Sequence, residues 1–191
     1  MRYNRSMKVK LGQIGDVSSG YSFRQGLASF PDGDKKLIRP SDLDDLDLSR
    51  ISAYEIDAPT HSFHGGEILI SNKGKFRAAF IYRPGDYVIP SSIFTIRITG
   101  SSVAPEFVAF YLNSRSGRAA VSSIARGSNI QALTKQALEE LEIPMPSLER
   151  QKAVIAAVHA ATNYVALARK KAELAEYCAE DTIDKFFKEE K

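Results

Sequence analysis

Along residues 1–146, short apolar runs alternate with clusters of turn residues, a pattern that predicts strands rather than long helices. "GGEILIS" (65–71) is apolar between glycines, "NKGK" turns, and "FRAAFIY" (76–82) resumes strand composition. "RPGD" (83–86) is a second turn with Pro and Gly where turns favour them. "YVIPSSIFTIRIT" (87–99) predicts further strand, with Phe94, Ile96 and Ile98 on one face and Thr95, Arg97 and Thr99 on the other. One face goes to the core, and Arg97 is offered to whatever lies outside. "PDGDKK" (31–36) reads as a polar turn. Helical signals come later: Pro105 and Glu106 open "PEFVAFYLNSRSG", which Gly117 can close, and Thr134 can cap "KQALEELE", about two turns. "RGSNIQ" (126–131) is a polar loop between them.

Two prolines end this region. Residues before proline are pushed away from helical angles, so Ile143 and Met145 are held extended. Ser147 is then a natural N-cap, and Glu149 sits in the first turn, where an anion suits the helix dipole. Beyond it no Gly or Pro occurs, and Val154, Val158, Ala161, Val165, Ala168, Ala172, Ala175, Ala179, Thr182 and Phe186 follow alternating steps of four and three. That is a heptad seam of small residues, suited to close approach by a partner helix at about 8 Å. Some 40 residues make a rod on the order of 60 Å long, too long for the preceding domain to bury. The expected fold class is therefore α+β: a β-rich globular domain over 1–146, then one long helix over 147–191 forming an intermolecular coiled coil.

Net charge, +3 over 191 residues, is too small to indicate a polyanion partner, but its distribution changes the picture. From Lys73 to Arg126 eight basic residues stand against two acids, whereas eight acids and four bases occupy Asp32 to Asp57. The middle of the chain is where a polyanion would be expected, although on charge alone a solvated basic face is the favoured reading. A lone Cys178 fits a reducing cytoplasm, and no apolar run of membrane-spanning length occurs.

Catalytic signatures are missing. The sequence has no Gly-rich phosphate loop, no Gly-x-Gly-x-x-Gly, no paired cysteines and no Asn/Asp-Pro-Pro-aromatic tetrapeptide of the amino methyltransferases. His61 and His64 have no nearby third ligand in sequence, and His159 beside the seam reads as a packing residue. Together these absences favour a binding module over an enzyme, with neither metal nor cofactor expected in this chain.

"KVKLGQIGDVSSGYSF", "LIRPSDLD", "GGEILISNKG" and, most specifically, "RGSNIQALTKQALEELEIPMPSLERQKAV" followed by the long helix resemble the DNA specificity subunit of type I restriction-modification systems. Arg150 stands where the family usually has Glu before the Gln of the helix opening. The resemblance implies one target recognition domain and one conserved helix, where family members usually carry two of each. It further implies a half-subunit completed by homodimerisation, a fragment, or an orphan remnant. The bare seam favours the homodimer, with Val154, Val158, Ala161, Val165, Ala168, Ala172, Ala175, Ala179 and Phe186 at its interface. Expected partners are double-stranded DNA, modification subunits that methylate adenine with S-adenosylmethionine, and a motor-nuclease subunit for cleavage. For phosphates the candidates are Lys73, Lys75, Arg77, Arg115, Arg118 and Arg126. For base edges they are Tyr21, Ser22, Arg24, Asn72, Ser128, Asn129 and Gln131, because Arg suits guanine and Asn or Gln suits adenine. The competing reading is a coiled-coil adaptor that binds only protein.

Overall fold

The structure, a computed structural model, describes residues 7–23, 30–127 and 131–189. The chain divides into two compact units, residues 1–151 and 152–191. The first unit opens with β1 (Met7–Lys10), α1 (Leu11–Ile14) and β2 (Gly15–Ser19), followed by β3 (Phe30–Lys36), a 3-10 turn (Pro40–Asp44), β4 (Ala53–Glu55) and β5 (His61–Phe63). Then come β6 (Ile68–Ser71), β7 (Ala78–Phe80), β8 (Gly85–Tyr87), β9 (Ile93–Ile98), α2 (Pro105–Asn113), α3 (Arg115–Ile124), α4 (Lys135–Glu139) and β10 (Glu142–Met145). Helix α5 (Leu148–Glu189) begins in this unit and supplies all the described residues of the second.

The central sheet is antiparallel, in the order β2-β9-β6-β7. Its pleat explains the sequence pattern. Val17 lies opposite Ile96, Ile96 opposite Ile68, and Ile70 opposite both Phe94 and Ala78, so these buried side chains share one face. Helix α2 packs on β6 and β7, burying Val108 and Leu112. On the other face Leu69, Ala79, Ile81 and Ile93 join Ile38, Leu43, Phe63, Tyr87 and Ile89 in an apolar cluster. Toward β2 that face changes character, because its positions there are Asp16, Ser18, Thr95 and Arg97. Strand β7 is an edge, and Asn113 covers it: Asn113 Oδ1 accepts from the Ala78 amide at 3.0 Å and Nδ2 donates to the Ala78 carbonyl at 2.6 Å. The side-chain amide thus replaces a missing strand partner.

Several sequence expectations are corrected. The run from Tyr87 to Thr99 is two strands in different sheets, β8 paired with β5 and β9 in the central sheet, divided at Pro90, which lacks an N–H for a ladder. Gly117 does not close a helix; it is buried inside α3. Ser114 separates the two helices by capping α3, its hydroxyl accepting from Gly117 N at 3.0 Å. A Cβ at position 117 would lie 1.9 Å from the Tyr111 carbonyl oxygen, so only glycine permits this junction. "PDGDKK" belongs to β3, whose register shifts between Pro31 and Lys35 opposite Tyr54. At that bulge a Cβ on Gly33 would meet Glu55 N at 1.8 Å. Thr134 does cap α4, accepting from Ala137 N at 3.1 Å, but the helix has five residues because Leu141 and β10 follow at once.

The extended residues before the prolines form β10, which pairs with β1: Met7 lies opposite Met145 and Lys8 opposite Pro144. The Gln151 amide reaches Ser147 O at 3.0 Å, which puts Ser147 at the N-cap position of α5. The Gln151 side chain is fully buried. Its Oε1 accepts from Ala104 N at 2.8 Å, and its Nε2 donates to Pro146 O at 2.9 Å and Ser102 O at 3.1 Å. This hub explains why the first unit extends to residue 151 instead of ending at 146.

Candidate nucleic-acid interface

Five cations from the basic middle of the sequence, Lys73, Lys75, Arg77, Arg118 and Arg126, are brought to one region of the first unit. Gly74, at φ +69°, lets the β6–β7 connection turn tightly and presents exposed Lys73 and Lys75. Bridges join Lys73 to Ala132 and Ala132 to Arg126, and Gly74 N donates to Gln131 O at 3.2 Å. The "NKGK" turn and the ends of the "RGSNIQ" loop are thereby stitched together. Beside them an open cleft of about 250 Å³ is lined by Gly74, Lys75, Phe76 and Arg77 from the turn and by Arg118 and Ser122, four apart on α3. Lys73, Lys75, Arg118 and Arg126 are exposed cations, and Arg115 is exposed three residues before Arg118. Arg77 differs, because its Nε donates to Asp44 Oδ1 at 2.6 Å and its charge is already partnered.

The candidate base readers are dispersed. Tyr21 and Ser22 are exposed and line a second cleft, of about 360 Å³, with Thr60, His61 and Thr95. Tyr21 is anchored through its backbone, its amide reaching Ile89 O at 2.7 Å, and its ring stands edge-on to Phe23 at 5.0 Å. Gln131 is exposed beside the basic turn. Asn72 is buried: its side-chain Nδ2 donates to Ser91 O at 2.6 Å and its backbone carbonyl accepts from Leu133 N at 2.8 Å, so it fastens loops and does not face a groove. Arg24, Ser128 and Asn129 lie outside the described residues.

A third cleft, of about 210 Å³, contains Asp16, Ser18 and Glu67, which the sequence did not single out, together with His61, Thr95 and Arg97. It shares His61 and Thr95 with the Tyr21 cleft. Glu67 is buried, which disfavours its charged form, yet N–H donors from the His64 backbone and its own backbone, together with Arg97, outweigh burial and hold its carboxyl below the usual range. Burial, and then the Arg97 charge, push His61 below the ordinary imidazole value. The sequence signal for this site was the alternation that put Arg97 on the outer face of β9. Glu67 was concealed at the head of an apolar run. Among the described residues no cluster of three His, Cys, Asp or Glu is placed to hold a metal ion.

The sequence pattern of the type I restriction modification DNA specificity domain matches residues 4–177. The chain belongs to that family. Its fold is similar to that of a chain from a type I R-M system solved to explain complex assembly and conformational transition, with TM-score 0.66 and 21% identity. It is also similar to the HsdS subunit from Thermoanaerobacter tengcongensis, with TM-score 0.63 and 20% identity, and to the S subunit from M. genitalium, with TM-score 0.57 and 17% identity. These matches cover 84 to 89% of this chain and 40 to 42% of theirs, so the chain spans about two fifths of their length. No curated protein matches it significantly.

In the second unit the residues of the expected seam lie along α5. Val154, Ala161, Val165, Ala168, Ala172, Ala175, Ala179 and Phe186 are exposed, and Val158 is half-buried. Tyr164, Leu167, Leu174, Tyr177, Ile183 and Phe187 are also exposed, which broadens the apolar sector beyond the alanine ridge read from the sequence. No described helix is long and apolar enough to cross a membrane.

Proposed function

We propose that the globular unit recognises a short duplex DNA half-site, and that α5 mates with a second copy so that two such readers act on one site. The convergence of Lys75 with Arg118, and of Lys73 with Arg126, from segments distant in sequence carries this reading. Exposed cations on separate elements suit a phosphate backbone, which supplies most of the affinity, while base edges supply discrimination. Arg115 and Arg77 flank that track, Arg77 once released from Asp44. Tyr21, Ser22 and Gln131 are the described candidates for base contacts. The exposed apolar band on α5 supports self-association and a helical bundle with the modification subunits.

In this reading the chain supplies the address and performs no chemistry. Adenine methylation, with S-adenosylmethionine, belongs to the modification subunits, and cleavage to a motor-nuclease subunit. Salt-titrated duplex binding tests it. The wild-type affinity falls steeply with salt, and Lys75→Glu with Arg118→Glu abolishes binding while leaving the fold intact by circular dichroism. Binding that ignores both salt and the charge reversals contradicts it and favours the protein-only adaptor.

A further inference from the structure

The outward face of the central sheet holds an arginine whose surroundings differ from those of every cation in the basic cleft. Arg97 is on β9, the strand flanked on both sides by β2 and β6, so its backbone is fixed by ladders in both directions. Its side chain is 54% exposed, whereas that of its partner Glu67 is only 4% exposed. Arg97 Nη2 donates to Glu67 Oε1 at 3.1 Å, and the same oxygen accepts from the His64 amide at 3.2 Å. Among the described residues the guanidinium makes this one hydrogen bond, which leaves most of its five N–H donors available toward the cleft. Glu67 Oε2 is buried with no hydrogen-bond partner among the described residues, and Oε1 is held between the His64 amide and that guanidinium.

The pairing decides what Arg97 can recognise. A buried carboxylate cancels much of the guanidinium's net charge, which weakens it as a phosphate clamp, but it fixes the plane and direction of the remaining donors. A neutral partner with two acceptors in one plane suits such a fork better than an anion does. Guanine presents O6 and N7 in that way in the major groove. The open cleft around Arg97 continues through His61 and Thr95 into the one containing Tyr21 and Ser22, so a base edge at Arg97 has polar neighbours on both sides.

We infer that Arg97 is a specificity residue that reads one guanine by donating to its O6 and N7, and that Glu67 is the positioning residue that aims it. This deepens the DNA-recognition reading above and rests on it.

The test is selection from a randomised duplex pool by the full-length chain, comparing wild type with Arg97→Ala, Arg97→Lys, Glu67→Gln and the cleft variant Lys75→Ala. Wild type enriches a motif with guanine at a fixed position. Arg97→Ala loses preference at that position alone, by roughly ten- to hundredfold, the span expected for a bidentate contact. Arg97→Lys keeps a cation but not the fork, and it relaxes the same position. Glu67→Gln weakens that preference without changing the rest of the motif, and Lys75→Ala lowers affinity for all sequences alike. An unchanged motif in a folded Arg97→Ala chain, or in Arg97→Lys should the alanine variant not fold, overturns the inference. So does a uniform loss of affinity, which marks a phosphate contact. A wild-type preference in Glu67→Gln removes the positioning role. Failure of wild type to enrich any sequence overturns the DNA reading itself, an outcome distinct from the others.

Discussion

Gln151 shows how much one side chain contributes when all its polar atoms are engaged out of water. It satisfies the Ala104 amide and the Ser102 and Pro146 carbonyls from inside the first turn of α5. Gln151→Ala leaves those groups unpaired and is expected to destabilise the first unit by about 1–3 kcal/mol, read as a lower denaturant midpoint at unchanged slope. His61 and Glu67 make a second residue-scale prediction. Both have folded-state values below their ordinary 6.5 and 4.5, so the unfolded chain binds more protons in each window and acid favours unfolding. Stability is held above pH 6.5 and declines as pH falls through the folded His61 value; a further loss follows below 4.5 as Glu67 is protonated. His61→Gln flattens the first decline and spares the second in a pH series of urea melts. The charged and titratable groups that act on His61 are Arg97, Glu67 and His64.

At the scale of elements, alternation and punctuation carried much of the architecture. The outward Arg97, the cap at Thr134, the extended residues before the prolines and the long α5 all follow from local rules, and local rules act wherever the sequence is read. What failed was non-local. Helix α3 is "RSGRAAVSSI", in which a glycine and three serines resemble a loop; it becomes helical because Val121 is buried and Ser114 caps it. Asn72 has the chemistry of a base reader, and only the fold shows its amide turned to Ser91. The partnership of Glu67 with Arg97 spans 30 residues and has no signature in either segment. Gly117 provides a test in which two effects oppose each other. Alanine in a helix interior is favoured over glycine by about 1 kcal/mol, yet here its Cβ meets the Tyr111 carbonyl. Gly117→Ala is expected to lose stability by about 1–3 kcal/mol, as overpacking does, measured by thermal melting. A gain would show that the α2–α3 junction yields at little cost.

For the whole molecule, the division of labour follows from two chemically different surfaces, one on each unit. The globular unit offers a basic cleft and polar clefts, and α5 offers an apolar band that water alone would leave costly. Placing Glu at both Ala168 and Ala172 puts charges on the seam. The expected outcome is loss of self-association, with the globular fold retained by circular dichroism and half-site affinity reduced only through lost avidity. The central claim is that two identical readers joined through α5 occupy one duplex. Sedimentation velocity of the full-length chain, alone and with its selected duplex, tests this most directly. The account predicts a dimer that binds as two chains per duplex on a site with inverted half-sites. A monomer at micromolar concentration that binds no duplex even at low salt would contradict it.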